Sequence, residues 1–410
     1  MRILYFHQHF TTPVGAGGTR SYEFARALVE RGHQVTMVCG QGKHNGLTLE
    51  PDSRRGWLRG TVDGIDVIAL PLAYSNSYSI ARRAWIFLHF AWRSVWIALR
   101  QEYDVLFATS TPLTAAVPGI VMKLAGRRKP FIFEVRDLWP ELPRALGMKN
   151  PLLLGGMSLL EWLAYRFADR CIGLSPGIVE GIRRRAPVGR QVDMIPNGCD
   201  LALFLPGKRG PLELPGVAGD DFVAGFTGTH GVANGLDAVL DAAAELKRRG
   251  CQHIKLVLIG DGGKKEQLVA RARKEQLDNC LFFPSVKKTD IASITASLDC
   301  GLQILANVPA FYFGTSPNKF FDYIAAGVPV LCNYPGWLTE MIVARGCGAV
   351  VPPNDPVAFA DALCRLAEDR LGTAAMGRNG RILAEAEFSR ERLAARFMEV
   401  LEHPVKPVER

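Results

Sequence analysis

Short apolar runs alternate with longer mixed segments along almost the whole chain, and this alternation limits the fold more than any other feature. Residues 3–6, 34–38, 67–70, 105–108, 131–135, 171–174 and 193–195 read as strands. Helical segments at 19–31, 114–125 and 159–168 lie between several of them. Parallel strands need such crossovers, so the pattern predicts an α/β protein. A stretch rich in Gly, Pro and charge follows, from Pro206-Gly207 to Gly219-Asp220-Asp221, which is linker composition. A second series then begins, with strands at 222–226, 255–259, 280–283, 301–305, 329–332 and 349–351 and helices at 236–249, 264–275 and 356–370. Two doubly wound, Rossmann-like sheets facing each other across a cleft are expected, with ligands beyond the carboxyl ends of the strands. The expected domains are 1–205 and 206–387.

At 410 residues the chain is too long for one ordinary core, which supports the two-domain division. A formal charge of +9 points to an anionic partner: nucleic acid, anionic lipid or a phosphorylated substrate. The nine cysteines are scattered, mostly in or beside apolar runs, without CxxC pairs or zinc spacing. A reducing cytosol is expected. His7 and His9 flank Gln8, but no third metal ligand is evident, and a place lining the cleft or capping the first strand is expected instead. The first apolar run is too short for a signal peptide.

The most informative segment is Ser316-Pro317-Asn318-Lys319-Phe320-Phe321-Asp322-Tyr323-Ile324-Ala325-Ala326-Gly327-Val328-Pro329-Val330-Leu331. Ser316 and Pro317 read as a cap and a first-turn proline. Phe320, Phe321, Ile324 and Ala325 form an apolar face, and Gly327 ends the helix. A helix opening beside a strand end aims free N–H groups and partial positive charge at a ligand. Lys319 adds a full charge, and Asp322 follows one turn on. The set suits a ligand with phosphate at one end and sugar hydroxyls at the other, although a plain cap and turn has the same spacing.

This segment resembles the nucleotide-binding signature of glycosyltransferase family 4, whose members have the GT-B fold. It is most similar to the bacterial branch that transfers amino sugars in surface-polysaccharide synthesis. The resemblance extends over nearly the whole chain. It implies that Gly17 and Gly18, in Val14-Gly15-Ala16-Gly17-Gly18-Thr19-Arg20, close over the transferred sugar and its diphosphate. In the strand end Phe133-Glu134-Val135-Arg136-Asp137, Arg136 stands where many members have His and would bind sugar or phosphate. Asp137 would orient it or bind an acceptor hydroxyl. A structural Arg136–Asp137 ion pair is the plain alternative. Glu134 is a weaker candidate, and Arg20 either holds a nearby acid or is solvated. In Gly228-Thr229-His230-Gly231-Val232-Ala233-Asn234-Gly235, Thr229 and Asn234 replace the usual Arg and Lys. Backbone N–H groups from Gly228 through Thr229 and His230 to Gly231 remain for the diphosphate, His230 can donate, and Lys319 would take over the charge. Many members carry a pair of glutamates at the positions of Gly314 and Asp322. Asp322 would bind ribose, Thr315 and Ser316 phosphate or sugar, and main chain near Ser285 and Val286 the uracil. Ile195-Pro196-Asn197-Gly198 resembles the family's turn before the second domain, and the helix at 388–410 would cross back to the first.

The resemblance implies a retaining transferase moving an N-acetylated amino or deoxy-amino sugar from a UDP-sugar to a lipid-linked or lipopolysaccharide glycan. No metal or cofactor is expected. Nucleic acid is not an expected partner. Residues 80–100 interleave Trp85, Trp92 and Trp96 with Arg82, Arg83, Arg93 and Arg100. They read as an interfacial helix for an anionic membrane at the cytoplasmic face, or as a core helix with exposed arginines. Two other functions fit parts of the pattern: a non-hydrolysing UDP-sugar epimerase, and a non-catalytic partner that kept the fold.

Overall fold

The computed structural model describes residues 1–15, 17–42, 45–52, 56–75, 78–207, 214–312 and 314–404. The chain divides into two compact units, Met1–Pro196 with Gly314–Ser316 and Glu391–Arg410, and Asn197–Phe313 with Pro317–Arg390.

The first unit is built on a nine-stranded sheet of order β3-β4-β5-β2-β1-β6-β7-β8-β9. Its strands are β1 Arg2–Phe6, β2 Gln34–Gly40, β3 Glu50–Asp52, β4 Trp57–Val62, β5 Ile65–Leu70, β6 Val105–Thr109, β7 Phe131–Val135, β8 Arg170–Gly173 and β9 Gln191–Met194. The pairs are parallel except β3–β4 and β4–β5. Side-chain alternation sends Leu4 and Phe6 of β1 to one face and Ile3 and Tyr5 to the other, and both faces are covered by core clusters. This is why the central strands are apolar at nearly every position. Ile86, Phe90, Ile97, Ala164 and Tyr165 pack on the first face. On the second, Tyr22, Phe24 and Leu28 meet Leu393, Phe397 and Leu401 of the Arg390–Glu402 helix. Phe397 stacks on Phe24 at 4.5 Å between ring centroids and meets Phe107 edge-on at 4.9 Å.

The second unit holds a wholly parallel six-stranded sheet of order β12-β11-β10-β13-β14-β15. These strands are β10 Phe222–Thr227, β11 Ile254–Ile259, β12 Cys280–Phe283, β13 Cys300–Gln303, β14 Val330–Cys332 and β15 Gly348–Val350. In each sheet the order reverses beside the first strand, β1 or β10. Ligand crevices of α/β sheets form at such switch points.

The units divide within the Pro-Asn-Gly turn, not at residue 206. The reason is local: the Cys199 amide donates to Phe388 O at 2.7 Å, and Phe204 is fully buried. Part of the expected linker, 208–213, lies outside the described residues, as do 405–410 of the C-terminal segment. The elements differ from the expected ones in several places. The β3–β4 ribbon is short and polar. The Pro151–Phe167 helix starts two turns before 159, because Asn150 caps it, accepting from the Leu152 and Leu153 amides at 3.0 and 3.2 Å, with Pro151 in the first turn. The expected helix at 356–370 is Pro356–Glu368, and a further helix, Arg370–Glu387, follows it, capped by the Asp369 carboxylate. None of the nine cysteines is in a disulfide.

Candidate active site

In the second unit the site is built around the end of β10. The Asn318–Ala325 helix is fixed beneath that strand by Tyr323, whose hydroxyl donates to Gly225 O at 3.1 Å and accepts from the Thr227 amide at 3.1 Å. Lys319 lies one turn earlier on the same side, as residues four apart do. Its Nζ sits 4.6 Å from the Phe226 ring centroid and donates to Asn234 Oδ1 at 3.3 Å. Asn234 Nδ2 in turn donates to Thr229 O at 2.6 Å and closes the loop. The substitution of Asn for the usual Lys therefore supplies an acceptor that aims Lys319. Burial pulls the Lys319 ammonium down to about 8, with Asp322 partly opposing the shift. Ser316 is not the cap. The helix begins at Asn318, with Pro317 at the N-cap and no side-chain cap, so Lys319 occupies the second helical position.

Two loops close tightly over this corner. Gly228 N donates to Ile259 O at 2.9 Å, and His230 N to Asp261 O at 2.9 Å, which corrects the expectation that these two N–H groups face a diphosphate. Gly260 has φ +147, and a Cβ there would lie 1.9 Å from Gly228 O. Gly260→Ala is therefore expected to destabilise the second unit by about 1–3 kcal/mol from crowding alone, read as a lower urea midpoint. An unchanged midpoint would mean that the loops are not held this close. His230 is fully buried, and neither ring nitrogen has a hydrogen-bond partner among the described residues. Burial and the nearby Lys265 charge lower it to about 4, so it is neutral at physiological pH.

Lys265 ties the β11 and β12 ends together, donating to Gly260 O, Phe283 O and Asp261 Oδ1 at 2.7, 2.8 and 3.0 Å. Asp261 also accepts from the Ser285 amide at 3.3 Å and its hydroxyl at 2.9 Å. The Ser285 N–H is thus held by a carboxylate of the neighbouring loop. Val286 is half-buried beside it, and Thr315 and Ser316 are half-buried ahead of the lysine helix. Asp322 lies near Lys288, Arg390 and Asp200. Burial raises its carboxyl to about 6, against the pull of the two cations.

In the first unit, Arg136 and Asp137 follow β7, beyond its carboxyl end. The alternative Arg136–Asp137 pair does not form. Arg136 Nε instead donates to Glu134 Oε1 at 3.4 Å. Asp137 accepts from Thr111 Oγ1 at 3.3 Å, and burial raises its carboxyl despite that bond and Arg136. Glu134 is the hub that sequence reading undervalued. It is fully buried, accepts from Arg20 Nε and Nη2 at 3.0 and 2.7 Å, and from Thr109 Oγ1 at 2.7 Å. Burial raises its carboxyl, but Arg20 and Arg136 outweigh that and hold it below the usual value. Arg20 is thus an internal partner, not a solvated residue. His7 is buried, and burial and Arg136 keep it well below its ordinary value. His9 packs on Tyr74 at 4.7 Å. Gly17 and Gly18 lie exposed on the loop after β1. Among the described residues, no group of three His, Cys, Asp or Glu side chains could hold a metal ion.

Residues 15–198 match the family model "Glycosyl transferase 4-like domain", and residues 215–383 match "Glycosyl transferases group 1". The chain belongs to glycosyltransferase family 4. Among relatives of this transferase is a putative colanic acid biosynthesis glycosyl transferase, WcaI of Escherichia coli K12. It is 21% identical over 343 residues, covering 80% of this chain and 82% of the relative. Similar solved structures include sucrose-phosphate synthase from Thermosynechococcus elongatus, with TM-score 0.77, 19% identity and 98% coverage of both chains. Anabaena Alr3699/HepE in complex with UDP-glucose has TM-score 0.70 and 18% identity, covering 98% of this chain and 99% of the other. These likenesses show the GT-B fold. Asn234, Tyr323 and Glu134 act through partners distant in sequence, and Lys265 links two strand ends. The exchange of Asn for Lys marked Asn234 and the strand end marked Glu134 as a weaker candidate, whereas nothing local marked Tyr323 or Lys265.

Proposed function

We propose that this glycosyltransferase moves an N-acetylated amino or deoxy-amino sugar from a UDP-sugar to a lipid-linked or lipopolysaccharide glycan, with retention at the anomeric carbon. The observation that carries this reading is Lys319, an ammonium held by Asn234 and Phe226 against the Gly228 loop. A UDP-sugar is supported by the binding of UDP-glucose in the HepE structure. A surface glycan acceptor is supported by the relative named for colanic acid biosynthesis.

In the proposed reaction the bond from the anomeric carbon to the donor diphosphate breaks, and the acceptor oxygen bonds to the same face of that carbon. The acceptor proton passes to the departing phosphate oxygen. Charge gathers on the diphosphate as it leaves. Lys319, the Thr229 amide and the start of the lysine helix stabilise it. Gly17 and Gly18 close over the sugar, Asp322 binds ribose, and Arg136 with Asp137 positions the sugar and acceptor. Metal and cofactor have no role in this scheme.

The direct test is a panel of UDP-sugars, with and without an N-acetyl group, supplied with a polyprenyl-diphosphate glycan. Transfer with retained configuration supports the reading. Isomerisation of donor alone would replace it with an epimerase, and the absence of any thermal response to UDP with a non-catalytic partner.

The pH profile follows from the two shifted groups. Lys319 must be protonated, and that form is lost as pH rises through about 8. Asp322 must be ionised, and that form is lost as pH falls through about 6. Donor kcat/KM is expected to be highest between these values, because that ratio reports the free enzyme. The alkaline limb of kcat should lie higher, since bound diphosphate favours the ammonium. A flat profile from pH 6 to 9 would remove Lys319 and Asp322 from donor binding.

A further inference from the structure

The helix Ile80–Arg100 turns its apolar residues the wrong way for an ordinary surface helix. Its inner face buries Ile86, Phe90 and Ile97 in the first unit's core. Its outer face, where polar residues normally lie, carries Trp85, Leu88, Trp92 and Trp96 at successive turns, 58%, 64%, 69% and 50% exposed. The Pro151–Phe167 helix repeats the arrangement. It buries Leu154, Ala164 and Tyr165, and it exposes Leu152 at 85%, Leu159 at 57% and Trp162 at 48%. The Val117–Leu124 helix packs against both and ends in Leu124, 65% exposed. The three form one layer on one face of the first sheet, with apolar side chains outward.

The outward charge of this layer has one sign, because the single carboxylate of its three helices, Glu161, is buried and paired with Arg185. No Asp or Glu occurs between Asp66 and Glu102, between Asp104 and Glu134, or between Glu141 and Glu161. Arg82, Arg93, Arg100 and Arg128 all lie in those intervals. A groove of about 620 Å³ opens on the layer, lined by Trp57, Trp92, Arg93, Trp96, Ile97 and Arg100. In it the Arg100 guanidinium lies over the Trp96 ring and that of Arg93 faces Trp57. Stacked guanidinium groups are pre-set for the bidentate grip of a phosphate. Tryptophan rings with one apolar and one wet edge favour the headgroup level of a bilayer. No helix among the described residues is long and apolar enough to cross a membrane.

We propose that this three-helix layer seats the first unit on an anionic bilayer, with a phospholipid headgroup phosphate in the Trp57–Trp92–Trp96 groove between Arg93 and Arg100. The seat deepens the proposed use of a lipid-linked acceptor, on which its purpose rests, because it holds the enzyme at the surface where that acceptor lies. The tryptophans and leucines enter the headgroup boundary, and the arginines supply the electrostatic half of the binding.

The test is co-sedimentation of the full chain with vesicles of phosphatidylglycerol and phosphatidylcholine in equal parts, against phosphatidylcholine alone, without donor or acceptor. Binding to the anionic vesicles, weakened by high salt, is expected. Arg93→Ala with Arg100→Ala should weaken it about thirtyfold. Trp92→Glu with Trp96→Glu should abolish it while leaving the thermal response to UDP unchanged. Equal binding to both vesicle types would overturn the proposal. So would failure to bind anionic vesicles, or a dimer in light scattering that Trp92→Glu disperses. Transfer to a water-soluble acceptor analogue separates the two readings. Transfer without vesicle binding removes the seat alone, and vesicle binding without transfer to any acceptor removes the proposed activity alone.

Discussion

Lys319→Ala is expected to lower kcat by about 10²–10³, the scale seen when one donor to a developing negative charge is removed. The loss should fall on kcat more than on donor KM, because the diphosphate gains charge as the sugar leaves. Folding should be intact. Burial opposes the ammonium, as its lowered value of about 8 shows, so its removal relieves a cost. Lys319→Arg should not rescue activity. The ammonium occupies a narrow place, with its Cε 3.2 Å from where a Gly228 Cβ would stand and its Nζ over the Phe226 ring. A bulkier planar fork cannot keep both contacts. Asn234→Ala leaves the charge but removes its Oδ1 acceptor, and a smaller loss of about tenfold is expected. Initial rates with saturating acceptor, with circular dichroism as the folding control, decide the matter.

Glu134→Ala is expected to cost about 3–5 kcal/mol, because it leaves the buried Arg20 guanidinium without its carboxylate. The first unit's melting transition should fall by roughly 10 °C. Arg20 also donates to the main-chain oxygens of Ile195 and Pro196, so the damage should spread to the end of the unit. Glu134→Gln keeps the shape and the Thr109 contact and should cost less. The folded carboxyl lies below its ordinary value. Its contribution is therefore complete above the unfolded value, about 4.3, and is lost as pH falls through the folded one. Glu134→Gln should lack that part of the acid destabilisation. A melting temperature unchanged in Glu134→Ala would mean that Arg20 finds water or another acceptor.

The alternation of apolar runs was enough to read two parallel α/β sheets, because strands buried on both faces must be apolar throughout. It did not reveal the β3–β4 ribbon, whose strands are half polar and pair antiparallel at the sheet edge. The Leu152 turn was hidden because its leucines face solvent, so the helix start depends on the Asn150 cap and not on periodicity. At the site, Lys319 stood out through the helix opening and a family resemblance. Its partners did not. Asn234 reaches it from the loop after β10 and Tyr323 ties its helix to β10, contacts that no local sequence pattern shows. Glu134 looked secondary because alternation could send it to either face. The structure buries it between two arginines, one of them 114 residues away in sequence. The bond from the Ser285 amide to Asp261 was not legible for a similar reason, since its acceptor comes from another loop.

The most direct measurement is a crystal structure of the full chain with UDP. Lys319 Nζ is expected to leave Asn234 for a diphosphate oxygen at about 2.7–2.9 Å. A refined complex in which that nitrogen stays on Asn234, with the phosphates bound elsewhere, would contradict the account.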